Sequence, residues 1–135
     1  MTLKELSQLY YLNREIEMDQ QRLEILRARV SASGSSSCDG MPKTPNHENH
    51  FERYIAEIVD LEAIISAKIT QCLHERNRLE RYIADIPDAY IRQIFTLRFI
   101  EGLPWIQVAF KIEGYATEDS VKKICYRYIK KSNEK

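Results

Sequence analysis

Residues 51–86 read FERYIAEIVDLEAIISAKITQCLHERNRLERYIADI. Phe51, Ile58, Ile65, Cys72, Leu79 and Ile86 recur every seven positions, and Tyr54, Leu61 and Tyr82 stand three further on. That spacing puts one apolar seam along a helix, the arrangement that pairs with another helix. Ile55, Ile69 and Ile83 widen the stripe, while Lys68 and Glu75 occupy seam positions where apolar residues are expected. Polar seam residues weaken a helix pair and restrict its register. A helix from Phe51 to Asp85 is about 50 Å long at roughly 1.5 Å per residue.

Upstream, residues 3–30 repeat the grammar. Leu9, Ile16, Leu23 and Val30 are seven apart, Leu12 and Leu26 fill the second seam position, and Asp19 interrupts it. Between the two patterns, residues 31–50 contain Gly34, Gly40, Pro42, Pro45 and a run of serines. This composition predicts a flexible loop at about 31–50. Two explanations account for the seams: an antiparallel hairpin within one chain, or association between chains. They are compatible, and a hairpin that also oligomerises is the expectation.

After Pro87 the heptads stop. Ile91, Ile94, Phe95, Leu97 and Phe99 supply the buried side of a first short helix, with Pro87 in its first turn. Glu101-Gly102-Leu103 makes a turn, with glycine suited to the left-handed backbone that ends helices. Pro104 opens the next helix, whose inward face is Trp105, Val108, Ala109 and Ile112. A second turn falls at Glu113-Gly114-Tyr115-Ala116. Thr117 caps the last helix, with Glu118 and Asp119 at its positive dipole end. Val121, Ile124, Cys125 and Tyr128 form its buried stripe. Asp119, Lys122, Lys123, Tyr126, Arg127 and Lys130 lie opposite, and Lys131 continues the basic run. Two short helices around a glycine turn, the second with a basic outer face, make a helix-turn-helix pattern. Lysine and arginine neutralise phosphate while the helix reads base edges.

The fold class predicted is all-α: a long helical hairpin or coiled-coil arm over 1–86, then a compact helix-turn-helix domain over 87–135. Leu97-Arg98-Phe99-Ile100-Glu101-Gly102-Leu103-Pro104-Trp105, Val108-Ala109, Gly114-Tyr115 and Ser120-Val121-Lys122-Lys123 resemble region 4 of sigma-70 factors. The whole chain is similar to small phage and prophage proteins of Gram-positive bacteria that join a coiled coil to such a module. Late transcriptional regulators of the RinA and ArpU type are among them. Asp39-Gly40-Met41-Pro42 also resembles a recurring feature of that group. The pattern departs at Glu113 and Ala116, which are extra in the turn. The resemblance implies DNA contacts from Thr117, Glu118, Asp119, Ser120, Lys122 and Lys123. Arg127 and Lys130 are expected at phosphates by their place further along the exposed face.

Composition excludes other classes. The chain has 135 residues, 20 basic and 20 acidic, so no uniform basic coat wraps it. The balance is a sum of opposites: residues 87–135 hold 9 basic and 6 acidic groups, and the first 86 are net acidic. The longest unbroken apolar run, Leu9 to Leu12, is far short of the ~20 residues of a membrane span. Nothing at the N-terminus reads as a signal peptide, so the expected location is the cytoplasm of a bacterial host. Cys38, Cys72 and Cys125 form no Cys-x-x-Cys pair and fit reduced thiols. A metal on Cys38, His47 and His50 needs a fourth ligand the pattern does not supply. No nucleophile–base set or phosphate loop stands out, the carboxylates near Glu75 and Glu80 are interleaved with arginines, and His74 lies off the seam. Neither an enzyme nor a cofactor is expected. The partners expected are double-stranded DNA, RNA polymerase and further copies of the chain. The functions in competition are a phage DNA-binding transcriptional regulator, a small DNA-packaging assembly subunit, and a polymerase-binding module without DNA affinity.

Overall fold

The structure, a computed structural model of the chain, describes residues 1–35, 45–112 and 116–135, with side chains over 1–32, 50–112 and 116–135. The described residues are all-α. The helices are α1 (Leu3–Leu6), α2 (Gln8–Ser35), α3 (Pro45–Ala84), α4 (Ala89–Phe95), α5 (Trp105–Ile112) and α6 (Glu118–Asn133), with a π segment at Thr96–Ile100 after α4.

The loop expected at 31–50 is shorter at both ends. Helix α2 runs on to Ser35 and α3 already begins at Pro45. Gly34 falls in the last turn of its helix, where the loss of one residue's packing matters least. Pro45 opens its helix, where a missing N–H costs nothing. Asp39-Gly40-Met41-Pro42 lies outside the described residues, as do Cys38, the His47 side chain and Glu113-Gly114-Tyr115.

The chain divides into two compact units, one of residues 1–13 and 71–135, the other of residues 14–70. The expected division after residue 86 is therefore not where contacts thin out. Leu6, Leu9, Leu79, Ile83 and Ile86 share one core with Ile94, Phe95, Phe99, Trp105, Val108, Val121, Cys125 and Ile129. The physical reason is plain: three short helices enclose too little apolar volume by themselves, and the ends of α2 and α3 complete it.

The 14–70 unit is an antiparallel helix pair. Ile16, Leu23 and Leu26 of α2 and Leu61 and Ile65 of α3 are buried along the expected seam. The polar seam residues answer one another, with Lys68 Nζ bonded to Asp19 Oδ2 and 3.5 Å from Glu15 Oε2. One flank is tied by Arg27 to Glu62 at 2.8 Å.

At the chain start, Thr2 and Glu5 form a reciprocal cap. Thr2 N–H donates to Glu5 Oε2 at 2.7 Å, and Glu5 N–H to Thr2 Oγ1 at 3.3 Å. This fixes α1 and buries Leu6 completely. Helix α4 starts at Ala89, so Pro87 lies just before it and not in its first turn, because the Asp88 side chain accepts Tyr90 N–H at 2.8 Å and serves as its N-cap.

Candidate nucleic-acid interface

Helix α6 is set by its first turn. Thr117 is extended at φ −97° and ψ 156°, and its Oγ1 accepts Ser120 N–H at 3.2 Å. Ser120 Oγ accepts Thr117 N–H at 3.1 Å and donates to the Thr117 carbonyl at 2.8 Å. Glu118 and Asp119 occupy the first turn, Lys130 and Lys131 the last, each sign at the dipole end that favours it. Val121, Cys125 and Ile129 anchor the helix to the core, flanked by half-buried Ile124 and Tyr128. Ile129, one turn beyond Cys125, joins the stripe although it was not among the expected residues. Burial pushes the Cys125 thiol up to about 12, against the opposing charge of Arg98, so it packs as a neutral apolar group.

The outer face carries Lys123, Arg127, Lys130 and Lys131, all exposed, with Lys122 half-buried at its edge. Among the described residues none of these five cations pairs with a carboxylate. By contrast, Arg14, Arg27, Lys68, Arg76, Arg78 and Lys111 all do. Expected contacts Thr117, Glu118, Asp119 and Ser120 gather at the start of this face, although the Thr117 and Ser120 side chains are engaged in the cap. Tyr126 and Trp105 meet edge to face, with centroids 6.2 Å apart and planes at 72°.

Arg98 stacks on the same indole. Its guanidinium lies 4.6 Å from the Trp105 ring centroid, and Nη1 donates to the Leu103 carbonyl at 3.0 Å. Two features steer Arg98 there. The π segment changes the helical phase, with Glu101 N–H bonded to the Thr96 carbonyl at 3.0 Å. Gly102 at φ +70° then turns the chain, and Leu103 N–H reaches back to the Leu97 carbonyl at 3.1 Å. Spacing alone gives no sign of the π segment. A shallow cleft of about 270 Å³ opens beside Arg98 and Gly102, walled by Tyr10, Tyr11 and Pro104.

The sequence pattern also left aside two outward residues of α5. Ile106 is 67% exposed and Phe110, one turn on, 83%. Their signal is arithmetic: once Trp105, Val108, Ala109 and Ile112 face inward, positions 106 and 110 face out.

Among the described residues there is no cluster of histidine, cysteine and carboxylate side chains fit for a metal, and no helix is long and apolar enough to cross a membrane. No protein-family model, curated protein or solved structure matches this chain.

Proposed function

We propose that the chain is a DNA-binding transcriptional regulator of phage type, acting as an oligomer at phage promoters, with α6 laid along the major groove. The observation that carries this is the set of cations on α6 with no carboxylate partner among the described residues. Five cations gathered on one helix, Lys122, Lys123, Arg127, Lys130 and Lys131, without counter-charges among the described residues, present a face suited to phosphate. Glu118 and Asp119 at the helix start suit acceptance from a cytosine amino group, a contact phosphate-binding cations would steady. The resemblance to sigma-70 region 4 supports the same orientation.

The test is binding to duplex phage DNA across a salt series. Replacing Lys122, Lys123 and Arg127 with Ala is expected to weaken binding and to flatten the slope of log K against log salt by about 2 to 3, since each lost phosphate contact removes about 0.9. Unchanged affinity and slope in that triple variant overturns the assignment of this face.

A second reading, a DNA-packaging assembly subunit, is favoured by one observation: large apolar residues lie exposed on the 14–70 helix pair outside its seam. Stoichiometry separates the two, since packaging requires a large ring of copies.

A further inference from the structure

Beyond the seam, the 14–70 unit carries six exposed large apolar residues. On α2 these are Met18 and Ile25, 62% and 55% exposed. On α3 they are Ile55, Val59, Ile64 and Ile69, between 41% and 59% exposed. A singly exposed isoleucine needs no account, but six on a short helix pair amount to a surface feature.

Their heptad positions sort them into two sets. Number each seam as starting at Ile16 of α2 and Ile65 of α3. Met18, Ile25 and Ile64 then lie on the side of the third and seventh positions, and Ile55, Val59 and Ile69 on the side of the second and fifth. In an antiparallel pair each kind of position meets its own kind across the seam, as the 2.8 Å Arg27–Glu62 bond between two fifth positions shows. The two-helix layer therefore has two opposite faces, each with three apolar residues.

Their charges differ. The face of Ile55, Val59 and Ile69 carries Glu17, Glu24, Glu52 and Glu62 against one cation, Arg27. The face of Met18, Ile25 and Ile64 carries Arg22, Arg29 and Arg53 along with Glu15, Glu57 and Asp60; Glu15 is already turned to Lys68 and Arg29 also has a partner, which leaves Arg22 and Arg53 to meet glutamates.

We infer that the occupant of each face is the opposite face of a second copy of this chain, so that copies stack head to tail into an assembly of at least three. Like-with-like pairing sets four glutamates against four, which is repulsive. A twofold pair through the arginine-bearing face leaves the other apolar face in water. Only the unlike pairing covers both faces and brings arginines to glutamates. A repeated unlike contact leaves an unfilled face at two copies, so it goes on to a ring or to an open stack. The surface is large enough: two helices of 22 residues make a face of roughly 33 by 20 Å, comparable with the ~800 Å² per partner of a stable interface. The inference rests on the helix pair alone and stands whether or not α6 binds DNA.

The experiment is mass measurement by sedimentation on the full chain without DNA. The wild type is expected at three times its 15.9 kDa or more. Ile25→Glu blocks one face and Val59→Glu the other. Both positions are exposed, so helix content by circular dichroism is expected to be unchanged. Each variant alone is expected to be a monomer. Mixed, they are expected to form a 1:1 dimer, because each retains the face the other lacks. A monomeric or dimeric wild type overturns the inference, and so does a variant that keeps the wild-type mass or a mixture that stays monomeric.

Discussion

Thr117 decides where the basic helix begins. Its hydroxyl satisfies one of the first-turn N–H groups of α6, and Ser120 returns the bond to the Thr117 amide. Thr117→Ala is expected to lower stability by about 1 kcal/mol, with Thr117→Ser close to wild type, measured by urea denaturation. Because that turn also aims Glu118 and Asp119, the Ala variant is expected to lose discrimination between DNA sequences more than salt-dependent affinity. Equal stability of all three chains counts against the cap. At this scale the sequence was readable where one residue type answers one backbone need, as with Thr117 before an acidic turn or Gly102 at φ +70°. It was less readable where one side chain serves two demands. Ser120 looks like a base contact by position, yet its oxygen is held by the Thr117 amide and carbonyl.

The long helices were legible from their seams because burial on a helix pair follows the heptad. Leu9, Leu12, Ile16, Leu23, Leu26, Leu61, Ile65 and Leu79 are all buried. The helix ends were not legible, since Gly34 and Pro45 read as breakers while sitting where an end turn tolerates them. Asp19 and Lys68, which look like flaws in two separate seams, are one feature: they sit opposite each other. The hydrogen bond it donates to Asp19 holds the Lys68 ammonium above its usual range, with partial burial opposing and the charges of Asp19 and Glu15 adding. Lys68→Ala is expected to lower the urea midpoint, because Asp19 keeps its half-buried place beside Glu15 with no cation. Asp19→Leu with Lys68→Leu is expected to raise the midpoint while loosening register. Register is read by disulfide formation between Arg27→Cys and Glu62→Cys. Fast bonding is expected with the native pair and slower, mixed bonding in the Leu/Leu background.

For the whole molecule, the consequence is that the compact unit holding α6 is not the last 49 residues by themselves. A fragment of residues 87–135 lacks Leu6, Leu9, Leu79, Ile83 and Ile86, each at most 5% exposed in the shared core. Removing one such side chain costs about 2–5 kcal/mol, so losing five, about 10–25 kcal/mol, is as large as the whole ~5–15 kcal/mol stability of an ordinary domain or larger. That fragment is expected to show weak helical dichroism and a melt without a cooperative step. Joining residues 1–13 to 71–135 through a short glycine–serine turn keeps every residue of that unit and is expected to restore a cooperative melt. The spliced chain also lacks both faces of the 14–70 helix pair, so it is expected to sediment as a monomer and to bind DNA through one α6 at a time. Its affinity then falls by the loss of effective concentration, with the salt slope per chain unchanged. A cooperative melt in residues 87–135 alone would show that the ends of α2 and α3 lie against a core already complete without them.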